Sequence, residues 1–169
     1  MDSVRDEVFA RLENDFTAFG LEFSIIGAGD PAQGGGILTA LVPVAGTDGQ
    51  QALMEIAIAE LGEAMNFLQI YSTVVMECSQ DMDTLLLAIN DVNFYCPVGS
   101  FGMFREKGQL YHKYCMPFDD EEEAEAVADG ALLAFHAILL VFALRAPALA
   151  SLALGEVDFE GAARQGLFS

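Results

Sequence analysis

The sequence predicts an α+β fold: an antiparallel sheet with helices packed on one face, in the order α-β-β-β-β-α-β-β-α. Three observations lead there. Strand-like segments come in a run, at 21–28, 37–44, 52–61 and 67–76, before any second helix. Helical patterns are set apart, at 3–19, 81–95 and 119–145. A further hairpin, 100–105 with 109–117, separates the last two helices. Grouped strands with segregated helices mark α+β rather than alternating βαβ units. The opposite face of such a sheet is left for solvent or for a partner.

In the first helix Ser3 and Asp6 form a capping-box pattern. Val8, Leu12, Phe16 and Phe19 then recur at helical spacing, and Gly20 ends the helix. LEFSIIGA (21–28) reads as the first strand and ILTALVPV (37–44) as the second, with GTDG (46–49) a turn. Residues 52–61 fit two periods. Leu53, Ile56, Glu60 and Ala64 suit a helix, whereas Met54, Ile56 and Ile58 alternate with Glu55, Ala57 and Ala59. The strand reading is preferred because a clear strand, FLQIYSTVVM (67–76), follows and can pair with it as a hairpin across GEAMN.

DMDTLLLAINDVNFY (81–95) is a helix with acids in its first turn, where the helix dipole favours them. Pro97 and Gly99 stop it. Asn90 and Asn93 near its end read as helix-end residues bonding the last carbonyls or turning the chain. EKG turns the hairpin. The last helix runs over 119–145, with Pro147 following it. The predicted organisation is one domain over 1–150 and a loosely held tail over 151–169, with no internal repeat.

Composition bounds the function. The chain has 169 residues, is 53% hydrophobic and carries a net charge of −19. Residues 12–104 contain no Lys or Arg. Such a chain buries a good core and leaves an acidic surface, which repels nucleic acid and anionic membranes. Cys78, Cys96 and Cys115 are odd in number with no close pair, so they read as reduced thiols rather than as a disulfide framework. MDSVRDEVFARLEND bears charges of both signs and no apolar run, unlike a signal peptide. The expected compartment is the cytoplasm. GALLAFHAILLVFAL (130–144) is the most apolar segment. It falls short of the ~20 residues of a membrane span and is read instead as a helix buried in a core or a dimer seam.

No motif points to chemistry. G-A-G-D-P-A at 27–32 matches a dinucleotide fingerprint, but glycines 34–36 and a strand follow where a helix must open, so it reads as a loop. The acids Asp119 to Glu123 with Glu125 lack the spacing of a calcium loop and suit a helix start. His112 and His136 have no partner at ligand spacing and read as hydrogen-bonded structural residues. Cys115 lies three residues past His112, on the other face of a strand, which argues against a thiol–imidazole pair. No catalytic, cofactor-binding or metal-binding residue is assigned, and no cofactor is expected.

The stretch LLLAINDVNFYCPVGSFGMFREKGQLYHKYCMPF (85–118) resembles the YbjN-like domain family, which shares the fold of the type III secretion chaperones (Tir chaperone, CesT-like). The likeness is carried by a helix ending in an N-x-x-N-like step (Asn90 and Asn93), a small-residue turn, an aromatic hairpin, an apolar-Pro end and a final helix. It implies a heart-shaped α+β homodimer without a catalytic site. It further implies a protein that holds an extended partner segment against sheet edges and apolar grooves. The glycine-rich loop at 27–36 and the apolar extension at 146–169 depart from that pattern. The expected function is thus a non-catalytic, acidic, homodimeric interaction protein with a protein partner, basic by charge complementarity, and with no nucleic acid or membrane partner. Met54, Met65, Met76, Met82, Met103 and Met116 are read mainly as core. They are the residues that would make such surfaces adaptable if exposed. The alternative is a small-molecule or metal-binding sensor whose closed pocket is lined by Phe101, Phe104, Tyr111 and Tyr114. A third reading anchors the chain to a membrane through 130–154.

Overall fold

The computed structural model describes residues 2–27, 36–43, 51–60, 65–119 and 121–167. Ten elements follow one another: α1 (Asp2–Phe19), β1 (Glu22–Ile26), β2 (Ile37–Pro43), β3 (Gln51–Glu60), β4 (Met65–Val75), α2 (Met82–Phe94), β5 (Ser100–Phe104), β6 (Gln109–Asp119), α3 (Ala124–Ala153) and α4 (Phe159–Arg164). The strands form one six-stranded antiparallel sheet in the order β1-β2-β3-β4-β6-β5. The α+β class and the order of elements are those the sequence predicts, with α4 added at the end.

Residues 51–60 are a strand. Ala52, Met54, Ile56 and Ile58 are buried and their neighbours are not, so the period of two prevailed over the helical alternative. The turns at 46–49 and 61–64, and residues 28–35 of the glycine-rich loop, lie outside the described residues. The flanks of that loop are a strand on each side: β1 and β2 pair antiparallel from Glu22↔Leu41 to Ile26↔Ile37. Helix α1 begins at Asp2, so Ser3 falls within its first turn rather than ahead of it.

The backbone contacts divide into two compact units. The first holds 1–42, 53–71 and 114–136, and the second 43–52, 72–113 and 137–169. In the first, the apolar stripe of α1 (Val8, Leu12, Phe16) is fully buried. The Phe16 ring lies 4.8 Å from Phe135 of α3 and 5.7 Å from Phe23 of β1. Burial of such side chains contributes about 1.5–3 kcal/mol each. Arg11 binds Glu7 (3.0 Å), Glu125 (3.0 Å) and Asp129 (3.4 Å), an exposed cluster linking α1 to the start of α3. Hydrogen bonds to Glu7 and Glu125 raise the Arg11 pKa above its ordinary value. In the second unit, Leu85, Ala88, Ile89 and Val92 form the buried stripe of α2. The Asp81 side chain caps that helix, accepting from Asp83 N and Thr84 N. Hydrogen bonding to Thr84, and then to Asp83, holds the Asp81 carboxyl below its usual pKa.

The last helix and the tail differ from expectation: α3 begins at Ala124 rather than at 119, because β6 continues through Asp119. Helix α3 does not stop at 145; it runs through Pro147 to Ala153. A proline inside a helix costs roughly 3 kcal/mol. The turns beyond it bury Ala148, Leu149, Leu152 and Ala153 almost completely, and that apolar contact offsets the penalty. The helix ends where Gly155, at φ +72°, turns the chain so that Glu156 N bonds Ser151 O and Gly155 N bonds Leu152 O. Residues 155–167 are not a loose tail either. Asp158 caps α4 by accepting from Gly161 N at 2.7 Å, and Ala162 and Leu167 are fully buried.

Candidate interaction surfaces

A sheet of this order has two edges, β1 and β5, and the chain treats them differently. At β5, Asn93 projects from the last turn of α2 against the backbone of Phe101. Its Nδ2 donates to Phe101 O (2.8 Å) and its Oδ1 accepts from Phe101 N (2.7 Å). One amide thus satisfies both backbone groups of one residue, as a neighbouring strand would. The sequence assigns Asn93 to helix capping; instead it caps a strand edge. Asn90, one turn earlier, is exposed. Among the described residues no non-glycine residue takes a left-handed backbone, so neither asparagine turns the helix end.

At the other edge, all five residues of β1 are exposed, including Phe23, Ile25 and Ile26. Ser24 and Thr39 join their hydroxyls at 2.9 Å across the β1–β2 pair. Glu22, Phe23, Ser24, Thr39, Ala40, Leu41 and Leu53 line a shallow hollow of about 210 Å³ beside this edge. Among the described residues no side chain covers this edge as Asn93 covers Phe101, and an exposed, apolar edge strand presents backbone groups to which a further strand can pair.

A second apolar region lies on α2 and α3. Tyr95, Pro97, Val98, Ala137, Leu140, Val141, Leu144 and Arg145 line a cleft of about 300 Å³. Asn90, Asp91, Phe94 and Tyr95 line another hollow next to it. Arg145 is buried, and its Nη1 donates to Gly166 O at 3.1 Å, tying α3 to the turn after α4. On α3 itself the exposed leucines 133, 140 and 144 fall at helical spacing. The helix is long and apolar enough to cross a membrane by length and composition, and 44% of its most apolar window is buried.

The expected structural histidines have hydrogen-bond partners. His136 Nε2 donates to Asp15 Oδ2 at 2.8 Å. His112 is fully buried, its ring 5.0 Å from Phe101 and 5.7 Å from Phe142, and its Nε2 donates to Val98 O at 2.9 Å. That bond fixes the proton on Nε2 and leaves Nδ1 buried without a partner among the described residues. Burial pushes the His112 pKa below the usual histidine value.

The four aromatic residues of the sensor reading do not share a pocket. Phe101 pairs with His112 and points to the Phe142 side, whereas Tyr111 pairs with Gly102 and its ring lies tilted 4.9 Å from Phe104. Strand alternation puts Tyr114 with His112, so the set splits two and two across the sheet. Of the methionines, Met54 is core, Met65 and Met76 are exposed, and Met82, Met103 and Met116 are half-buried. Asp119 closes β6, ahead of α3, and its Oδ1 accepts from Glu121 N at 2.9 Å. Among the described residues no three His, Cys, Asp or Glu side chains gather as a metal site. Cys78, Cys96 and Cys115 are free thiols, and burial raises the pKa of the first two.

Compared with known proteins, the chain matches no family model, no curated protein and no solved structure.

Proposed function

We propose that this chain is a non-catalytic, acidic, homodimeric interaction protein of the cytoplasm that takes an extended segment of a protein partner as an added strand along β1. One observation carries the reading. The β5 edge is closed by Asn93, while the β1 edge is uncapped among the described residues and lined by Phe23, Ile25 and Ile26. Main-chain bonds along such an edge supply affinity, and alternate side chains supply selectivity. The net charge of −19 favours a basic partner and speeds its encounter. The resemblance of residues 85–118 to YbjN-like and secretion-chaperone-like domains points the same way, toward contact rather than catalysis.

Light scattering on purified protein, followed by capture from native lysate with wild type and an Ile26→Lys variant, tests this. Ile26 is exposed, so the substitution leaves the fold intact, and an edge lysine opposes strand addition. The expected result is a dimer that retains a basic protein, with retention lost in Ile26→Lys and weakened by salt. A monomer that retains nothing would sink the reading. Equal retention by the variant would remove β1 as the site.

A further inference from the structure

The charged surface of this protein is interrupted on α2 and α3 by a patch that is apolar, exposed and shaped as a knob beside a hole. The knob is Phe94, 83% exposed, the most exposed of the large apolar side chains among the described residues. The hole is the cleft of about 300 Å³ between the 95–98 turn and α3, floored by Ala137 and Val141 and flanked by Leu140 and Leu144. Tyr95 lines both the hollow that holds Phe94 and this cleft, so knob and hole are neighbours on one surface. A cleft of that volume is at the small end of sites that take an organic group, and is sized for an aromatic ring.

We infer that this face is where a second copy of the chain docks, with Phe94 of each copy inserted into the Ala137–Leu140–Leu144 cleft of the other. The inference rests on the proposed dimer and names its interface. Three observations commit it to that occupant. A knob next to its own hole is self-complementary about a two-fold axis, the geometry of an isologous contact. Charge agrees: two copies at −19 each repel, and the repulsion is least where the contact itself holds few charges and the rest lie beyond the screening length; Asp91 and Arg145 are the only charged residues, among those described, that line the two hollows. Area agrees as well. Leu87 (64% exposed), Phe94, Tyr95 (53%), Leu140 (67%) and Leu144 (63%) together present on the order of 700 Å², taking about 200 Å² for a fully exposed large side chain. A stable interface buries about 800 Å² per partner. Leu87 and Phe94 are seven residues apart on α2 and so share its face.

The chain contains no Trp, so Phe94→Trp gives a single-tryptophan reporter of the knob. It is read by emission across a dilution series, alongside light scattering of wild type, Phe94→Asp and Leu140→Glu. Both charged substitutions fall on exposed positions, and circular dichroism checks that each variant is folded. The expected result is a wild-type mass of twice 18.1 kDa, a mass of 18.1 kDa for both charged variants at the same concentration, and self-association weakened at least ~30-fold. The indole emission of the Phe94→Trp protein is expected to be blue-shifted in the dimer and to move red on dilution. A wild-type dimer that survives both charged variants overturns this interface and leaves the dimer reading standing. A wild-type monomer at every concentration overturns both. Indole emission that shifts only on adding phosphatidylcholine vesicles, or only with a basic strand-forming peptide, gives the patch to another occupant and overturns the inference.

Discussion

Replacing Asn93 by Ala removes both hydrogen bonds that close the β5 edge, at 2.7 and 2.8 Å, and leaves the amide and carbonyl of Phe101 without them. The Phe101 side chain is 3% exposed, so little water reaches that backbone. A net hydrogen bond contributes about 0.5–1.5 kcal/mol, and a buried group left unsatisfied costs about 1–3 kcal/mol. Two such groups, partly rehydrated once the amide is gone, give an expected loss of about 2–3 kcal/mol. For a chain of this size that is a fall in Tm of roughly 4–12 °C. Asn90→Ala is the matched control. It removes the same side chain from the same helix at an exposed position and is expected to shift stability by under ~0.5 kcal/mol. Asn93→Asp is expected to be no better than Ala, since a carboxylate accepts from Phe101 N but faces Phe101 O without a proton to donate. Urea denaturation of the three variants gives the energies, and hydrogen exchange of the Phe101 amide reports the bond itself. An Asn93→Ala protein within ~0.5 kcal/mol of wild type, with Phe101 protection unchanged, would refute the edge-cap argument. The same variant is expected to aggregate faster than Asn90→Ala, because it uncovers a second strand edge.

The remaining predictions concern the packing around that edge. His112 has its folded pKa lowered by burial, so the unfolded chain takes the proton first; stability is full above the unfolded value near 6.5 and is lost as pH falls below it. Urea midpoints at a pH well above that value and at two below it, about 7.5, 6.0 and 5.0, check this. His112→Leu is expected to flatten the slope over that range, and a variant that keeps it would show that other groups carry it. Gly99→Ala places a Cβ 2.7 Å from Lys113 O and against the His112 ring, at φ +69°, and is expected to cost more than ~2 kcal/mol in thermal denaturation. An unchanged melting temperature would contradict the close approach. Arg145→Met removes the donor to Gly166 O, with an expected loss of about 1.5–3 kcal/mol and faster trypsin cleavage after Arg164. Cleavage at the wild-type rate would mean the α4 turn does not depend on Arg145.

Much of the fold was legible because local periodicity and core burial agree in this chain. The alternation of Met54, Ile56 and Ile58 names the buried side directly, and in the α1 stripe Val8, Leu12 and Phe16 are buried while Phe19, the last member, is 58% exposed at the end of the helix. Where local rules and tertiary contact disagree, the sequence misleads. Pro147 signals a helix end, yet α3 continues because the residues beyond it are buried. Asn93 carries the signature of a helix terminus, yet its amide serves a strand eight residues away in sequence, a pairing that no spacing rule encodes. The aromatic set 101, 104, 111 and 114 reads as one cluster until the β5–β6 register, Phe101↔His112, splits it across the sheet.

The sequence alone determined the class, the order of elements and the charge, because these follow from periods of two and 3.6 residues and from counting. Tertiary structure alone decided that Asn93 covers the Phe101 backbone at the β5 edge, that the residues of β1 are exposed, and that Phe94 stands out beside a cleft formed by a helix more than forty residues further along the chain. Edges and clefts are properties of what lies next to what after folding, and a residue's own type carries no record of its neighbours in space.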